Sequence, residues 1–211
     1  VLENRKEPVT CIIGGSKIST KINVITSLIN KVNNLIIVGA MANNFFVYKN
    51  FKVGKSLIEK NTTEVIEEIY KKAKINNCEI LIPDDCKVGI NFERDGKNKK
   101  LNEIQDNEII LDIGDNTIEN IKKKIGQSNT ILWNGPAGYF ENDYFAKGTL
   151  SIAEKISEET VKKSLISILG GGDTLAAVNK SRNKLSFSHL STAGGAFLEY
   201  LEGKDLPGIS V

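Results

Sequence analysis

The sequence predicts an α/β protein: a parallel sheet with helices on both faces, a Rossmann-like three-layer arrangement, with a small antiparallel excursion near residues 84–106. Three observations predict it. Short, continuously apolar runs at 35–38, 130–133 and 165–169 read as strands buried on both faces, as in parallel sheets. These runs alternate with segments of helical spacing, the order expected of a sheet covered by helices. Glycines gather where the strand runs end, at Gly14-Gly15, Gly39, Gly135, Gly170-Gly171-Gly172 and Gly194-Gly195. Ligands of open α/β sheets bind beyond the carboxyl ends of the strands, so five glycine turns on one edge suggest a shared site.

In chain order, residues 1–8 are polar and read as an entry segment or linker. A strand at 9–13 ends on Gly14-Gly15, and helical spacing follows over 17–32 through Ile18, Ile22, Ile25 and Ile29. A strand at 35–38 is punctuated by Gly39, then comes a helix at 40–48, a loop at 51–57, and a helix at 62–75 with Val65, Ile66, Ile69 and Ala73 inward. Pro83 stops a third strand at 79–82. Residues 84–106 are polar and irregular, with weak alternation at 87–92, which fits the antiparallel excursion. A strand at 109–113 precedes a helix at 117–125 that Asp115 is placed to cap. The strand at 130–133 runs into Asn134-Gly135-Pro136. A helix at 144–157, a strand at 165–169, a helix at 174–180 and a last strand at 185–189 follow, then Gly194-Gly195 and a helix at 196–202.

With 211 residues, 40% of them hydrophobic, the chain can bury a full α/β core. A net charge of +2 creates no global field for nucleic acid or a membrane surface, and the lysine clusters read as solvated faces. No apolar run approaches a membrane span, and no signal peptide opens the chain. Cys11, Cys78 and Cys86 form no CxxC pair, which fits reduced thiols in a cytosolic protein. A start at Val1 rather than methionine fits a piece of a longer product.

The central candidate site is Gly170-Gly171-Gly172-Asp173-Thr174, between an apolar run and a small-residue helix. It fits a phosphate or Mg-nucleotide cradle, with helix N–H groups aimed at the ligand, and equally a tight turn with Asp173 as N-cap. Lys17 and Lys21, four apart, are expected on one helix face near its N-terminus. Cations conflict with the helix dipole there, and an anion between them removes the conflict. Glu141, beyond another strand end, could accept hydrogen bonds from ribose hydroxyls or stand as a surface carboxylate.

Other patterns point away from chemistry. Gly54-Lys55-Ser56 lacks the earlier glycine of a P-loop, since Lys49 stands in its place. Asp84-Asp85 after Pro83 reads as a turn. The single histidine, His189, reads as structural, and the missing GxGxxG argues against dinucleotide binding.

Five motifs then occur in register: 14–21 (GGSKISTK), 133–141 (WNGPAGYFE), 170–174 (GGGDT), 188–196 (SHLSTAGGA) and 201–208 (LEGKDLPG). Together they resemble phosphoglycerate kinase, specifically its C-terminal, nucleotide-binding half, over nearly the whole chain. The resemblance implies one nucleotide-binding domain over 1–211, with 1–8 an inter-domain linker and the N-terminal substrate domain absent. It implies transfer of a phosphoryl group between 1,3-bisphosphoglycerate and ADP, this segment supplying the site for ADP or ATP with Mg²⁺ and being inactive alone. Phosphoglycerate would bind only with the missing domain. A cytoplasmic monomer is implied, and a non-catalytic nucleotide-binding module without its partner domain is the alternative.

Residue by residue, Lys17 matches the lysine that stabilises the phosphoryl group in flight, and Lys21 the one that contacts nucleotide phosphates. Asp173 matches the aspartate that serves magnesium. Gly170, Gly171, Gly172 and Thr174 match the phosphate loop. Glu141 matches the ribose-binding glutamate, with Asn134 and Pro136 on the nucleotide-facing loop. Gly39, Met41 and Leu111 match the walls of the adenine slot. Gly194 and Gly195 match the glycine-rich turn near the transferring phosphate, and together with Lys17 and Gly172 form the implied catalytic set. Ala40 and Ala193 stand where the family usually has glycine, and Ser19-Thr20 replaces its frequent Ser-Asp.

Overall fold

Alternation in the centre of the sheet divides the interior into two cores, and this division sets the architecture. The computed structural model describes residues 6–192. In chain order the elements are β1 (Val9–Ile13), α1 (Ile22–Ile29), β2 (Asn34–Ile37), α2 (Ala42–Tyr48), α3 (Thr63–Ile75) and β3 (Glu79–Leu81). Then follow β4 (Asp85–Gly89), β5 (Lys97–Lys100), β6 (Ile109–Ile113), α4 (Asp115–Gln127) and β7 (Thr130–Asn134). The last are α5 (Lys147–Lys163), β8 (Ile166–Gly170), α6 (Gly172–Asn179) and β9 (His189–Ser191).

The six-stranded sheet has the order β3-β2-β1-β7-β8-β9, with every pairing parallel. Val9, Cys11 and Ile13 of β1 face one core, built with Ile25 and Leu28 of α1, Phe45 of α2 and Ile66 of α3. Ile12 faces the other, with Trp133, Ile118 and Ile121 of α4, and Ile152 and Ile156 of α5. Each such fully buried side chain contributes roughly 1.5–3 kcal/mol of transfer free energy. The predicted three-layer α/β fold is therefore present.

The antiparallel excursion is larger than 84–106. β4, β5 and β6 form a separate three-stranded sheet of order β5-β4-β6, so the apolar run at 109–113 leaves the parallel sheet. An apolar run marks a strand that is largely buried but not which sheet it joins: Leu111 to Ile113 are buried, although β6 pairs antiparallel with β4.

Three other expectations are corrected. Helix α1 starts at Ile22, not at residue 17, because Gly15 (φ +119°) turns the chain into a loop whose last turn closes with a 2.9 Å bond from Lys21 N–H to Ile18 O. Asp115 does not cap α4: its first-turn amides at Asn116 and Thr117 donate at 3.1 and 2.8 Å to the carboxylate of Asp85, from a different strand. Asp85 is thus a buried clamp, where the sequence suggested a turn residue. Helix α5 runs to Lys163, six residues past its expected end, where Glu159 pairs with Lys155 and Lys163 at helical spacing.

Residues 6–8 do not hang free: Lys6 N–H donates to Thr130 Oγ1 at 3.0 Å, and Asn129 N–H to Pro8 O at 2.9 Å. The last strand is shifted to His189–Ser191, with His189 exposed at its start. Ala193, Gly194, Gly195 and the expected helix at 196–202 lie outside the described residues.

Candidate functional site

Four strand ends meet at one edge, and their loops interlock through backbone groups. Gly14 N–H donates to Asn134 O at 2.8 Å, Gly39 N–H to Ala137 O at 3.1 Å, and Met41 N–H to Gly15 O at 3.0 Å. The loops after β1 and β7 cross in direct contact. A Cβ on Gly14 would lie 2.1 Å from Pro136 O, and one on Gly135 (φ +92°) 2.3 Å from Gly14 O. Only glycine fits these two positions.

β8 ends in Gly170, Gly171 takes φ +99°, and α6 starts at Gly172. Gly171, not Asp173, occupies the N-cap position, with no side-chain cap bond. Asp173 is exposed in the first turn and borders the neighbouring cavity. A Cβ on Gly172 meets nothing within 4 Å, so space lies open in front of this turn. Thr174 is fully buried beneath it. Its hydroxyl donates to Gly170 O at 2.9 Å and accepts from Gly135 N–H at 2.7 Å, so it staples the turn to the β7 loop.

Lys21 reaches back over the same edge. Its Nζ donates to Gly14 O at 2.7 Å and to Asn134 Oδ1 at 2.6 Å, while Asn134 Nδ2 donates to Gly170 O at 2.8 Å. The chain Lys21–Asn134–Gly170 therefore spans the ends of β1, β7 and β8, and among the described residues one ammonium proton is left over. Burial pushes the Lys21 pKa down to about 8, while the Asp173 carboxylate pulls the other way.

Lys17 does not share a helix face with Lys21; it lies exposed in the loop between Gly15 and α1. That loop is anchored by Glu59, whose carboxylate accepts from both the N–H and the hydroxyl of Ser19. Burial raises the Glu59 carboxyl, but the Ser19 bonds, with help from Lys17, outweigh it and leave the group below its ordinary range.

Beside this edge, between the two sheets, lies a cavity of about 590 Å³. Of the sequence-named residues, Gly39, Leu111, Pro136, Glu141 and Asp173 line it. Met41 does not: it is fully buried in the core under α2. Ala40, where the family usually has glycine, lines the cavity without a positive φ, so its methyl costs no backbone strain. Glu141 is exposed, and its loop is tied to the end of α6 by Lys180, whose Nζ donates to Phe140 O and Glu141 O, each at 2.8 Å.

Sequence reasoning missed Lys180, Glu59 and Asp112. Asp112 alone left a signal, as an acid inside an apolar strand run. Lys55, set aside with the broken P-loop pattern, borders the cavity, while Gly54 (φ +56°) packs on Glu108 O.

Among the described residues no group of three or more His, Cys, Asp or Glu side chains could cage a metal. Asp173, an exposed carboxylate beside a glycine turn, fits Mg²⁺ held chiefly by phosphate oxygens and water, the usual manner of binding this ion.

Fold and edge together define a three-layer α/β protein with the Lys21 ammonium and glycine-rich backbone turns gathered at the strand ends. The chain belongs to the phosphoglycerate kinase family, whose model, "Phosphoglycerate kinase", matches residues 1–204. It is 44% identical over 212 residues to the phosphoglycerate kinase of Rhodopseudomonas palustris, covering 100% of this chain and 53% of that protein. The enzyme of Bartonella tribocorum is 43% identical over 210 residues, covering 99% and 53%. The structure of phosphoglycerate kinase from Coxiella burnetii superposes with a TM-score of 0.91 at 40% identity, covering 98% of this chain and 53% of that one. The chain spans about half the length of the curated relatives it matches.

Proposed function

We propose that this chain is the nucleotide-binding, C-terminal half of a phosphoglycerate kinase, the enzyme that passes a phosphoryl group between 1,3-bisphosphoglycerate and ADP to give 3-phosphoglycerate and ATP. The observation that carries the reading is the Lys21–Asn134–Gly170 hydrogen-bonded chain set beside a cavity bordered by Gly39, Leu111, Pro136 and Glu141. In this reading the base and ribose occupy the cavity, with Glu141 accepting from the ribose hydroxyls. The phosphates lie along the turn from Gly170 to Gly172 and on the free proton of Lys21. Asp173 holds Mg²⁺, which supplies positive charge against the phosphate oxygens. Lys17, exposed beyond the edge, reaches the phosphoryl group in flight; Gly194 and Gly195, outside the described residues, are assigned to the same step by their match to the family's glycine-rich turn.

The chemistry needs no general base. In the reverse direction the attacking group is a carboxylate, ionised at neutral pH. Positioning and stationary positive charge are enough. The other substrate belongs to the partner half. Three free, buried cysteines support a reducing, cytoplasmic setting, and the unit is read as a monomer.

Isothermal titration of the 211-residue chain with Mg-ADP tests the site. Binding that weakens strongly in Lys21→Met supports it; no binding, or a variant equal to wild type, overturns it. Turnover by this chain without a phosphoglycerate-binding partner would contradict the two-domain reading, since closure of the halves around both substrates is then not required.

A further inference from the structure

Asp112 is the fourth residue of β6 and only 2% exposed, on the wall of the cavity. A carboxylate within an apolar strand is costly unless its oxygens are hydrogen-bonded. Here Oδ2 accepts from Gly148 N–H, in the first turn of α5, at 2.7 Å, and Oδ1 from Ile113 N–H at 2.9 Å. Two glycines close around it: a Cβ on Gly138 would lie 2.4 Å, and one on Gly148 2.3 Å, from Asp112 Oδ1.

The loop at 136–141, which carries Pro136 and Glu141, rests on these same groups. Ala137 N–H donates at 2.9 Å to Oγ1 of the fully buried Thr149, the neighbour of Gly148. Tyr139 N–H donates at 2.7 Å to Leu111 O, the neighbour of Asp112. The carboxylate thus joins β6 to α5 directly under the loop.

We propose that Asp112 is a positioning residue for the nucleotide site, its ionised carboxylate holding the first turn of α5 and, through Thr149 and Gly138, the loop that presents Pro136 and Glu141. This rests on the nucleotide reading of the cavity. Burial raises the Asp112 pKa to about 7, against the pull of the two amides and of Lys87 and Lys147. The groups around it are Lys87, paired with Asp95, and the Cys86 thiol on β4; Lys147, paired with Asp115, on α5; and Tyr139 and Glu141, exposed on the loop. Proton uptake replaces a charge-assisted bond to Gly148 N–H by a weaker neutral one and removes the negative charge at the start of α5. The loop loosens, and nucleotide affinity falls with it.

The test is Mg-ADP titration from about pH 5.5 to about pH 8 on wild type, Asp112→Asn and Lys147→Met. Amide exchange at Tyr139 and Gly148 is followed over the same range without ligand. After allowance for protonation of the ADP phosphate itself at about pH 6, wild-type affinity is expected to fall below about pH 7, by up to about tenfold per pH unit, with this additional limb absent in Asp112→Asn. Losing the Lys147 charge should move the midpoint upward. Exchange, corrected for its intrinsic pH dependence, should quicken on acidification in wild type and not in Asp112→Asn. An Asp112→Asn variant that keeps this additional limb overturns the proposal, as does exchange that ignores pH. Failure to bind Mg-ADP at every pH overturns the nucleotide reading instead, and the exchange data then decide the role of Asp112. If Asp112→Asn does not fold, the midpoint in Lys147→Met decides.

Discussion

Gly135 and Thr174, thirty-nine residues apart, join the β7 loop to the turn after β8: the buried Gly135 N–H donates to Thr174 Oγ1 at 2.7 Å. The same hydroxyl donates to Gly170 O, so one side chain fixes the spacing between the Asn134-Gly135-Pro136 loop and the Gly170-Gly171-Gly172 turn. Thr174→Val keeps the shape and removes both bonds, leaving the buried Gly135 N–H unpaired while Gly170 O keeps its bond from Asn134 Nδ2. It should cost about 1–3 kcal/mol in urea unfolding and weaken Mg-ADP binding, with Thr174→Ser restoring much of both. A variant as stable as wild type would show that the staple does not hold the edge together.

What the sequence made legible was whatever leaves a local trace. Apolar runs and helical spacing placed the parallel sheet and its two covering layers. Glycine turns placed the edge, because Gly14 and Gly135 are demanded by a close backbone approach that no other residue permits. The motifs named Lys21, Asn134 and Asp173. Partners distant in sequence left no such trace. Asp85 caps α4 from thirty-one residues away, so the nearby Asp115 looked like the cap. Lys17 and Lys21 have helical spacing, but Gly15 delays the helix until Ile22, and tertiary bonds to Gly14 O and Asn134 Oδ1 decide where the Lys21 ammonium goes. Met41 sits among cavity-lining neighbours, yet its side chain turns into the core.

Adjacent glycines in the phosphate-facing turn should respond in opposite ways. Gly171 holds φ +99° and a Cβ there would lie 2.8 Å from Asn134 Nδ2, so Gly171→Ala strains the backbone and pushes on the residue that orients Lys21. A loss of about 1–3 kcal/mol is expected. Gly172 has no positive φ and open space around its Cβ position, so Gly172→Ala should be neutral or stabilising by up to about 1 kcal/mol. Its methyl would enter the space assigned to phosphate, so Mg-ADP affinity should drop while the melting temperature holds. Equal melting losses in both variants would contradict this turn geometry.

The Asp85 clamp gives a stability prediction separate from the site. Its carboxylate accepts from Asn116 N–H, Thr117 N–H and Thr117 Oγ1, the last at 2.7 Å, and a Cβ on Gly114 would lie 2.2 Å from its Cγ. Asp85→Ala removes the side-chain partner of two helix-start amides and should destabilise by about 2–4 kcal/mol, at the upper end of cap losses because the group is buried. Chemical denaturation should show a lower midpoint with an unchanged slope, and Asp85→Asn should recover part of the loss.

Lys21 predicts a basic limb in nucleotide binding. Burial lowers its pKa from 10.5 to about 8, so the free protein loses this ammonium as pH rises through about 8. Phosphate oxygens need the charge, and affinity for Mg-ADP should decline above that pH. Bound phosphate favours the proton, so binding near pH 8.5 should take up a fraction of a proton, measurable by calorimetry in two buffers of different ionisation enthalpy. Lys21→Met should lose about tenfold to about a hundredfold in affinity, as expected for one charge-assisted bond, and show neither the basic limb nor the proton uptake. The stability effect has the opposite sign. The folded chain holds the Lys21 proton less tightly than the unfolded chain, so Lys21 adds stability as pH climbs from about 8 towards 10.5 and adds none below. A wild-type stability profile matching that of Lys21→Met across this window would show that the ammonium is not desolvated at the edge.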